Sequence, residues 1–145
     1  MFEKYTEKAR RTIFFARYEV SELGGQSIGP EHLSLGLLRE DKSLIPRLLG
    51  EQDEPIRKAI RQRIEEHSRV GKKISTDVQI PLSDEAKDVL VYAAEESAAM
   101  SHRYIGTEHL LLGVLRVDGS FAASVLREHG LGYEAVREVL KQMYE

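Results

Sequence analysis

The strongest constraint in this sequence is an internal duplication. Shifting the chain by 77 residues aligns positions 6–41 with positions 83–118 without a gap, and 13 of the 36 aligned pairs are identical. The identical pairs are Ala9/Ala86, Ala16/Ala93, Glu19/Glu96, Ile28/Ile105, Gly29/Gly106, Glu31/Glu108, His32/His109, Leu33/Leu110, Leu35/Leu112, Gly36/Gly113, Leu38/Leu115, Arg39/Arg116 and Asp41/Asp118. The register later resumes at 80 residues, where Ile56 pairs with Val136 and Ile60 with Leu140. Such a repeat predicts two copies of one structural unit.

The duplication sets the predicted domain organisation. Repeat one spans 1–70, a linker spans 71–81, and repeat two spans 82–145, within one domain of 145 residues. A chain of this length suits a single compact domain, whereas either repeat alone is small for a stable core. The linker has turn-forming and β-branched residues but no helical period, so we expect it to be extended.

Each half predicts four helices. The first follows a hydroxyl cap, Thr6 in one half and Ser83 in the other, and its apolar residues recur every three or four positions. The second helix carries a glycine in its middle, Gly36 or Gly113, which costs helix stability and indicates a close helix crossing. No strand pairing is required anywhere. The predicted fold class is therefore all-α, with eight helices in two four-helix repeats related by pseudo-twofold symmetry.

The later helices of each repeat also have start signals. The third helix is predicted to begin at Ser43 or Ser120. The fourth begins near Asp53-Glu54-Pro55, with Pro55 suited to the first helical position, or near Tyr133.

Composition excludes several classes of function. The chain has no cysteine, so disulfides and thiolate metal sites are absent, and its pI near 6.0 disfavours a dedicated nucleic-acid binder. It has neither a signal-like start nor a 20-residue apolar run, which predicts a cytoplasmic protein without a membrane partner. A basic cluster within 57–73 is interpreted as a solvated helix face, with docking of an acidic partner or a nucleic acid as alternatives.

The Glu-His pairs, Glu31-His32 and Glu108-His109, are candidates for a metal site or an acid–base pair. Adjacent helical residues point about 100° apart, so neither pair converges on one ion, and structural histidines are favoured. The sequence also lacks a nucleophile elbow and a nucleotide-binding loop. We therefore predict a non-catalytic protein with no metal and no cofactor.

The starts of the two second helices are the candidate binding sites. At Gly106-Thr107-Glu108 the first amide N–H groups of a helix lack intrahelical partners and attract anions. Thr107 is predicted to cap this helix, and the Glu108 carboxylate can pair with a guanidinium. The arrangement suits a ligand that carries both an anion and a cation. A plain capped helix without a ligand is the alternative.

At these residues the sequence resembles the duplicated N-terminal domain of the Clp family of AAA+ unfoldases, of the ClpC and ClpA type. The resemblance covers essentially the whole chain. It is carried by the opening segment 1–10 (MFEKYTEKAR), by segment 104–113 (YIGTEHLLLG), and by the copy of the latter at 28–36. It implies a double Clp-N motif that recruits protein substrates and adaptor proteins for an ATP-driven ring, without activity of its own.

In the ClpC type these sites bind phosphoarginine, a degradation tag. By that likeness Glu108 meets the guanidinium and Thr107 holds the phosphoryl group together with the helix-start amides, while Ser83 assists. In repeat one Pro30 replaces the threonine, although Glu31 and Thr6 remain, so this site is expected to be weaker than the second. The turn 24–27 also departs from the family's usual run.

The resemblance leaves two roles open. The chain is the binding domain of a longer Clp unfoldase, whose ATPase ring is then a partner, or it is a stand-alone Clp-repeat protein that competes for adaptors or substrates. A reading frame that continues into a nucleotide-binding loop would favour the first role. As an isolated domain the chain is expected to be a monomer.

Overall fold

The computed structural model describes residues 3–50, 52–67 and 79–144. Helices account for the regular structure of these ranges, and the all-α prediction is confirmed. The helices are α1 (Glu7–Leu23), α2 (Pro30–Glu40), α3 (Leu44–Leu49), α4 (Asp53–His67), α5 (Asp84–Ala99), α6 (Thr107–Arg116), α7 (Phe121–Glu128) and α8 (Tyr133–Met143). Most of the predicted linker, 71–78, lies outside the described residues.

The predicted caps of the first helix in each repeat are confirmed. The Thr6 hydroxyl oxygen accepts the amide N–H of Ala9 at 3.1 Å, and the Ser83 hydroxyl oxygen accepts that of Ala86 at the same distance. Pro55 stands at the third position of α4, because Asp53 begins that helix, so its predicted place at the first position is wrong. The other predicted helix starts agree with the structure.

The mid-helix glycines mark two close crossings. A methyl group on Gly36 would overlap the carbonyl oxygen of Thr12 and lie 2.9 Å from the amide nitrogen of Ala16, so α2 touches the backbone of α1. On Gly113 it would overlap the carbonyl oxygen of Val89, which places α6 against α5 in the same way. In both repeats glycine lowers the stability of the helix but allows the two helices to pack closely.

The two repeats share one hydrophobic core. Buried apolar residues of both repeats form a single cluster, with α2 packed against α6 and α4 against α7. An ion pair between Arg63 and Glu128, at 2.8 Å, adds a polar contact between α4 and α7. Among the described residues no single helix is long and apolar enough to cross a membrane, although α6 and α7, bent by 106° at their junction, reach that length and composition together.

Two short backbone pairings join the repeats and position the candidate sites. Tyr5 forms an isolated parallel bridge with Ile105, and Leu82 forms the equivalent bridge with Ile28. Ser83 donates its amide N–H to the carbonyl oxygen of Ile28 at 2.9 Å, and Thr6 donates to that of Ile105 at 2.9 Å. The first helix of each repeat consequently begins beside the Gly-X-Glu-His segment of the other repeat.

The basic face of α4 is largely neutralised. Its three arginines are ion-paired: Arg57 with Glu54 at 3.1 Å, Arg61 with the buried Glu19 at 3.1 Å, and Arg63 with Glu128. Lys58, also in α4, is exposed, and the remaining basic residues of the predicted cluster, from position 69 onward, lie outside the described residues. The described part favours the interpretation of this cluster as a structural and solvated face.

Candidate functional site

Two cavities related by the pseudo-twofold symmetry contain the Gly-X-Glu-His segments. The Glu31 cavity has a volume of about 500 Å³, and the Glu108 cavity about 590 Å³. Both volumes lie in the range of small-molecule sites, roughly 300–1,000 Å³. The described lining of the Glu31 cavity is Leu23, Gly24, Gly25, Gln26, Ser27, Gly29, Glu31, His32, Ile64, Ser83 and Glu85. That of the Glu108 cavity is Thr6, Glu7, Lys8, Arg11, Asp41, Ser43, Arg47, Gly106, Thr107 and Glu108.

Each glutamate folds back over the glycine that precedes its helix. A methyl group on Gly29 would overlap the carboxylate of Glu31, and one on Gly106 would overlap that of Glu108. Glycine at this position therefore makes room for the carboxylate. The two side chains are equally shielded, 17% exposed for Glu31 and 16% for Glu108, so burial of the carboxylate does not distinguish the cavities.

The structure pairs the predicted site residues across the repeats. Ser83 lines the Glu31 cavity, and Thr6 lines the Glu108 cavity. The prediction that Ser83 assists Glu108 and that Thr6 remains with Glu31 is therefore wrong. The reason is the backbone pairing between repeats, which brings the start of each first helix to the other repeat's motif.

Thr107 does not cap α6. The N-cap residue is Gly106, whose amide N–H donates to Nδ1 of His109 at 2.8 Å, and Thr107 is the first residue of the helix. The Thr107 hydroxyl donates to Oδ2 of the buried Asp41 at 2.6 Å. Burial raises the pKa of Asp41, but hydrogen bonds from Thr107 and Ser43 outweigh it and hold the pKa below its usual value. The Thr107 proton is thus committed to Asp41.

The charges lining the two cavities are the largest difference between them. The Glu108 cavity has three basic residues, Lys8, Arg11 and Arg47, beside three acidic ones. The described lining of the Glu31 cavity has two glutamates and no basic residue. Glu85 occupies the position in α5 that Lys8 occupies in α1, which reverses the charge at symmetry-related places. Sequence reasoning missed this difference, although the repeat alignment contains it.

The Glu31 carboxyl group lies in an unfavourable electrostatic environment. Burial, and secondly the nearby charge of Glu85, raise the pKa of Glu31 to about 6. Burial lowers the pKa of the neighbouring His32 to about 4, so this imidazole is neutral at pH 7. In the described ranges neither Glu-His pair belongs to a group of three or more residues able to hold a metal ion.

The histidines of the two motifs have different surroundings. Nε2 of His109 is 2.9 Å from Nδ1 of His102, and the two rings meet edge to face. The position equivalent to His102 in repeat one is Gly25, which lines the Glu31 cavity. A methyl group on Gly25 would lie 3.9 Å from Nε2 of His32, so the space that an imidazole fills in repeat two belongs to the cavity in repeat one.

Tyr144 contacts Glu108 in repeat two. Its hydroxyl donates to Oε2 of Glu108 at 2.8 Å, and its ring packs edge to face on His102 with centroids 4.4 Å apart. Burial, together with this hydrogen bond, raises the pKa of Tyr144 to about 12. The periodic pattern of α8 gave no indication of this contact, because Tyr144 lies after the last helical residue.

The fold defines a duplicated all-helical module with two cavities built between its repeats. The profile of the Clp repeat (R) N-terminal domain family matches residues 4–144, and the chain belongs to this family. It is 35% identical over 144 residues to the "ATP-dependent Clp protease ATP-binding subunit ClpA homolog" of Cyanidium caldarium, and also to the "Chaperone protein ClpC1, chloroplastic" of Arabidopsis thaliana. These alignments cover 99% of this chain but only 16% and 15% of the relatives.

Solved structures agree with the family assignment. The N-terminal domain of the ClpD chaperone from Arabidopsis thaliana is similar with a TM-score of 0.79 and 29% identity, covering 100% of this chain and 97% of that one. The N-terminal domain of Hsp104 from Candida albicans shares the fold, with a TM-score of 0.73, 17% identity and coverage of 94% and 89%.

Proposed function

We propose that the chain binds protein substrates and adaptors for a Clp-type ATP-dependent unfoldase, without catalysis of its own. Family membership supports this role, and the ClpA and ClpC relatives that it matches are named as ATP-binding subunits or chaperones. We further propose that the Glu108 cavity binds phosphoarginine on tagged proteins. The observation that carries this finer proposal is the balance of charges in that cavity.

The guanidinium end of the ligand is assigned to Glu108. A carboxylate accepts two N–H bonds from a guanidinium, and this geometry is specific for arginine-like groups. The Glu108 side chain is only 16% exposed, so competition by water for its carboxylate is limited. One of its oxygens already accepts the Tyr144 hydroxyl, which must move or share that oxygen when the ligand binds.

The phosphoryl end is assigned to the basic side of the cavity. Lys8 and Arg47 line it without an ion pair to any described residue, whereas Arg11 is paired with Glu7 and Glu40 at 2.7 and 2.6 Å. The first amides of α6 point at the same space and favour an anion. Thr6 can donate its hydroxyl proton, because its oxygen is the atom that caps α1. Thr107 is assigned only its backbone amide, since its hydroxyl donates to Asp41.

Calorimetry with phosphoarginine tests this assignment. We expect one dominant site in the unsubstituted chain, lost in Glu108→Ala and little changed in Glu31→Ala. The Glu31→Ala variant is the matched control, because it removes the equally shielded carboxylate of the other repeat. Two equal sites, or no binding, would contradict the proposal. Capture of proteins from the parent cell with the unsubstituted chain and with Glu108→Ala then measures how much recruitment depends on this cavity.

A further inference from the structure

The described lining of the Glu31 cavity has the wrong charge for a phosphorylated ligand. Its two glutamates repel an anion, and its described lining offers no basic side chain. Pro30, at the first position of α2, also removes one of the amide donors that a helix start normally offers. The cavity is nevertheless of a size comparable to its partner, so it is open to a ligand of different chemistry.

The carboxylates of Glu31 and Glu85 suit a cation. They come from α2 of repeat one and α5 of repeat two, and they line the same space as the Ser83 hydroxyl. Two carboxylates held near each other repel, and a bound cation relieves that repulsion. A guanidinium suits the site better than a compact ammonium, because its planar fork can serve two oxygen acceptors at once.

A buried imidazole supplies an independent sign of a ligand. His32 is 7% exposed, and its Nδ1 accepts the amide N–H of Gly29 at 2.9 Å, so the ring carries its proton on Nε2. Among the described residues no hydrogen-bond partner is found for this Nε2–H, which faces the space next to Gly25. In repeat two the equivalent nitrogen of His109 is partnered by His102. The largely buried His32 thus presents an N–H donor that a ligand in the Glu31 cavity can reach.

We propose that the Glu31 cavity binds an unphosphorylated arginine residue of a polypeptide, whose guanidinium meets Glu31 and Glu85 and whose peptide carbonyl accepts Nε2–H of His32. The requirement for both a cation and an acceptor favours a peptide over a polyamine, which offers only the cation. This inference rests on the proposed role of the chain in binding proteins, but not on phosphoarginine binding. The two repeats then recognise two chemical forms of arginine.

Nuclear magnetic resonance titration of the isotope-labelled full chain tests the proposal. The probe is a capped Gly-Arg-Gly peptide, compared with the same peptide carrying citrulline, which keeps the shape but replaces one guanidinium NH2 donor with a carbonyl oxygen and lacks the charge. We expect the arginine peptide to shift the amide signals of 23–29, 31 and 32, with an affinity at least 10-fold higher than that of the citrulline peptide. Spermidine, as a cation without a carbonyl, is expected to bind at least 10-fold more weakly than the arginine peptide.

Substitutions assign the effect to the cavity. Glu85→Lys introduces the charge found at the same place in repeat one, on an exposed position that tolerates it, and is expected to weaken the arginine peptide at least 10-fold. Glu134→Lys makes the same charge change at an exposed position outside the described lining of both cavities and is expected to change affinity less than 2-fold. Gly25→His, which fills the space beside His32, is expected to abolish binding while the fold is retained.

Three results would overturn the proposal. They are equal binding of the arginine and citrulline peptides, equal binding of spermidine, and signal changes confined to the Glu108 cavity. Titration of phosphoarginine into the same sample measures binding at the Glu108 cavity separately. Failure of that second titration contradicts the phosphoarginine assignment and leaves the arginine result standing on its own.

Discussion

The Glu31 and Glu108 cavities are two versions of one scaffold. Both are built from a glycine, a folded-back glutamate and a histidine at a helix start, and both receive the first helix of the other repeat. They differ in the residues that this incoming helix contributes, Glu7, Lys8 and Arg11 in one cavity and Glu85 in the other. The motif therefore supplies the carboxylate, while the opposite repeat sets the charge around it.

Part of the uneven charge of the chain is found in these cavities. Residues 1–73 carry a formal charge of +3 and residues 74–145 carry −6. Because each cavity is completed by the other repeat, part of the basic excess of repeat one faces the motif of repeat two, and an acidic residue of repeat two faces the motif of repeat one. Charge divergence between the repeats thereby becomes divergence between the sites.

The largest expected effect tests whether the two repeats still share their scaffold. Gly36→Ala is expected to lower the free energy of unfolding by about 3 kcal/mol and Gly113→Ala by about 2 kcal/mol, because the added methyl groups meet backbone atoms of α1 and α5. Urea unfolding measures both. Gly119→Ala is the control, since its methyl group would meet nothing within 4 Å. A neutral result at either helical glycine would show that the crossings are not equivalent constraints.

The second-largest expected effect tests the difference in charge between the Glu31 and Glu108 cavities. Lys8→Glu places in the Glu108 cavity the residue that stands at the equivalent position of repeat two, and it is expected to weaken phosphoarginine binding about 30-fold, roughly 2 kcal/mol. Lys87→Glu makes the same change at an exposed position outside the described cavity lining and is expected to have little effect. Equal losses in the two variants would mean that only overall charge matters. Calorimetry at low and high salt separates these cases.

A smaller effect concerns stability and pH. Because the pKa of Glu31 is raised from 4.5 to about 6, its contribution to stability is complete below pH 4.5 and is lost as the pH rises through 6. Glu31→Gln is therefore expected to raise the free energy of unfolding by about 1–2 kcal/mol at pH 7.5 and to be neutral at pH 4. Urea unfolding at both pH values measures this.

Other titratable groups near Glu31 also affect how stability depends on pH. His32 and Glu85 are the other described titratable residues that line the cavity. The pKa of His32 is lowered to about 4, so its contribution is lost as the pH falls from 6.5 towards 4, opposite to that of Glu31. Glu108→Gln is the comparison variant, and a smaller gain is expected there because Lys8, Arg11 and Arg47 line the cavity of that carboxylate. A gain of equal size in both variants would remove this difference between the cavities.

The smallest effect concerns the contact that only the Glu108 cavity has. Tyr144→Phe removes the hydrogen bond to Glu108 and is expected to cost about 1 kcal/mol of stability or less, because Tyr144 is half exposed. It is also expected to raise phosphoarginine affinity about 2-fold, since an oxygen of Glu108 no longer has to be released. A decrease in affinity would instead assign the Tyr144 hydroxyl to orienting the carboxylate. Urea unfolding and calorimetry with phosphoarginine measure the two effects.

Much of the fold could be predicted because its signals are local or repeated. The Thr6 and Ser83 caps follow from a hydroxyl before an apolar period, and the Gly36 and Gly113 crossings follow from glycine kept at the same place twice. The Gly-X-Glu-His segments were identified as candidate sites for the same reason. Thr107 was misassigned as a cap, because its real partner, Asp41, lies 66 residues away in the other repeat.

The sequence by itself determined the helical class, the two repeats and the carboxylate at each site, since periodicity, capping and duplication act over a few residues or a fixed shift. Only the tertiary structure decided which helix completes which site. That choice depends on the bridges Tyr5–Ile105 and Ile28–Leu82, which join segments far apart in the chain and leave no periodic signal. The sequence contains the charged residues that distinguish the two cavities. Which cavity each of them lines depends on the bridges, which bring the first helix of each repeat to the motif of the other.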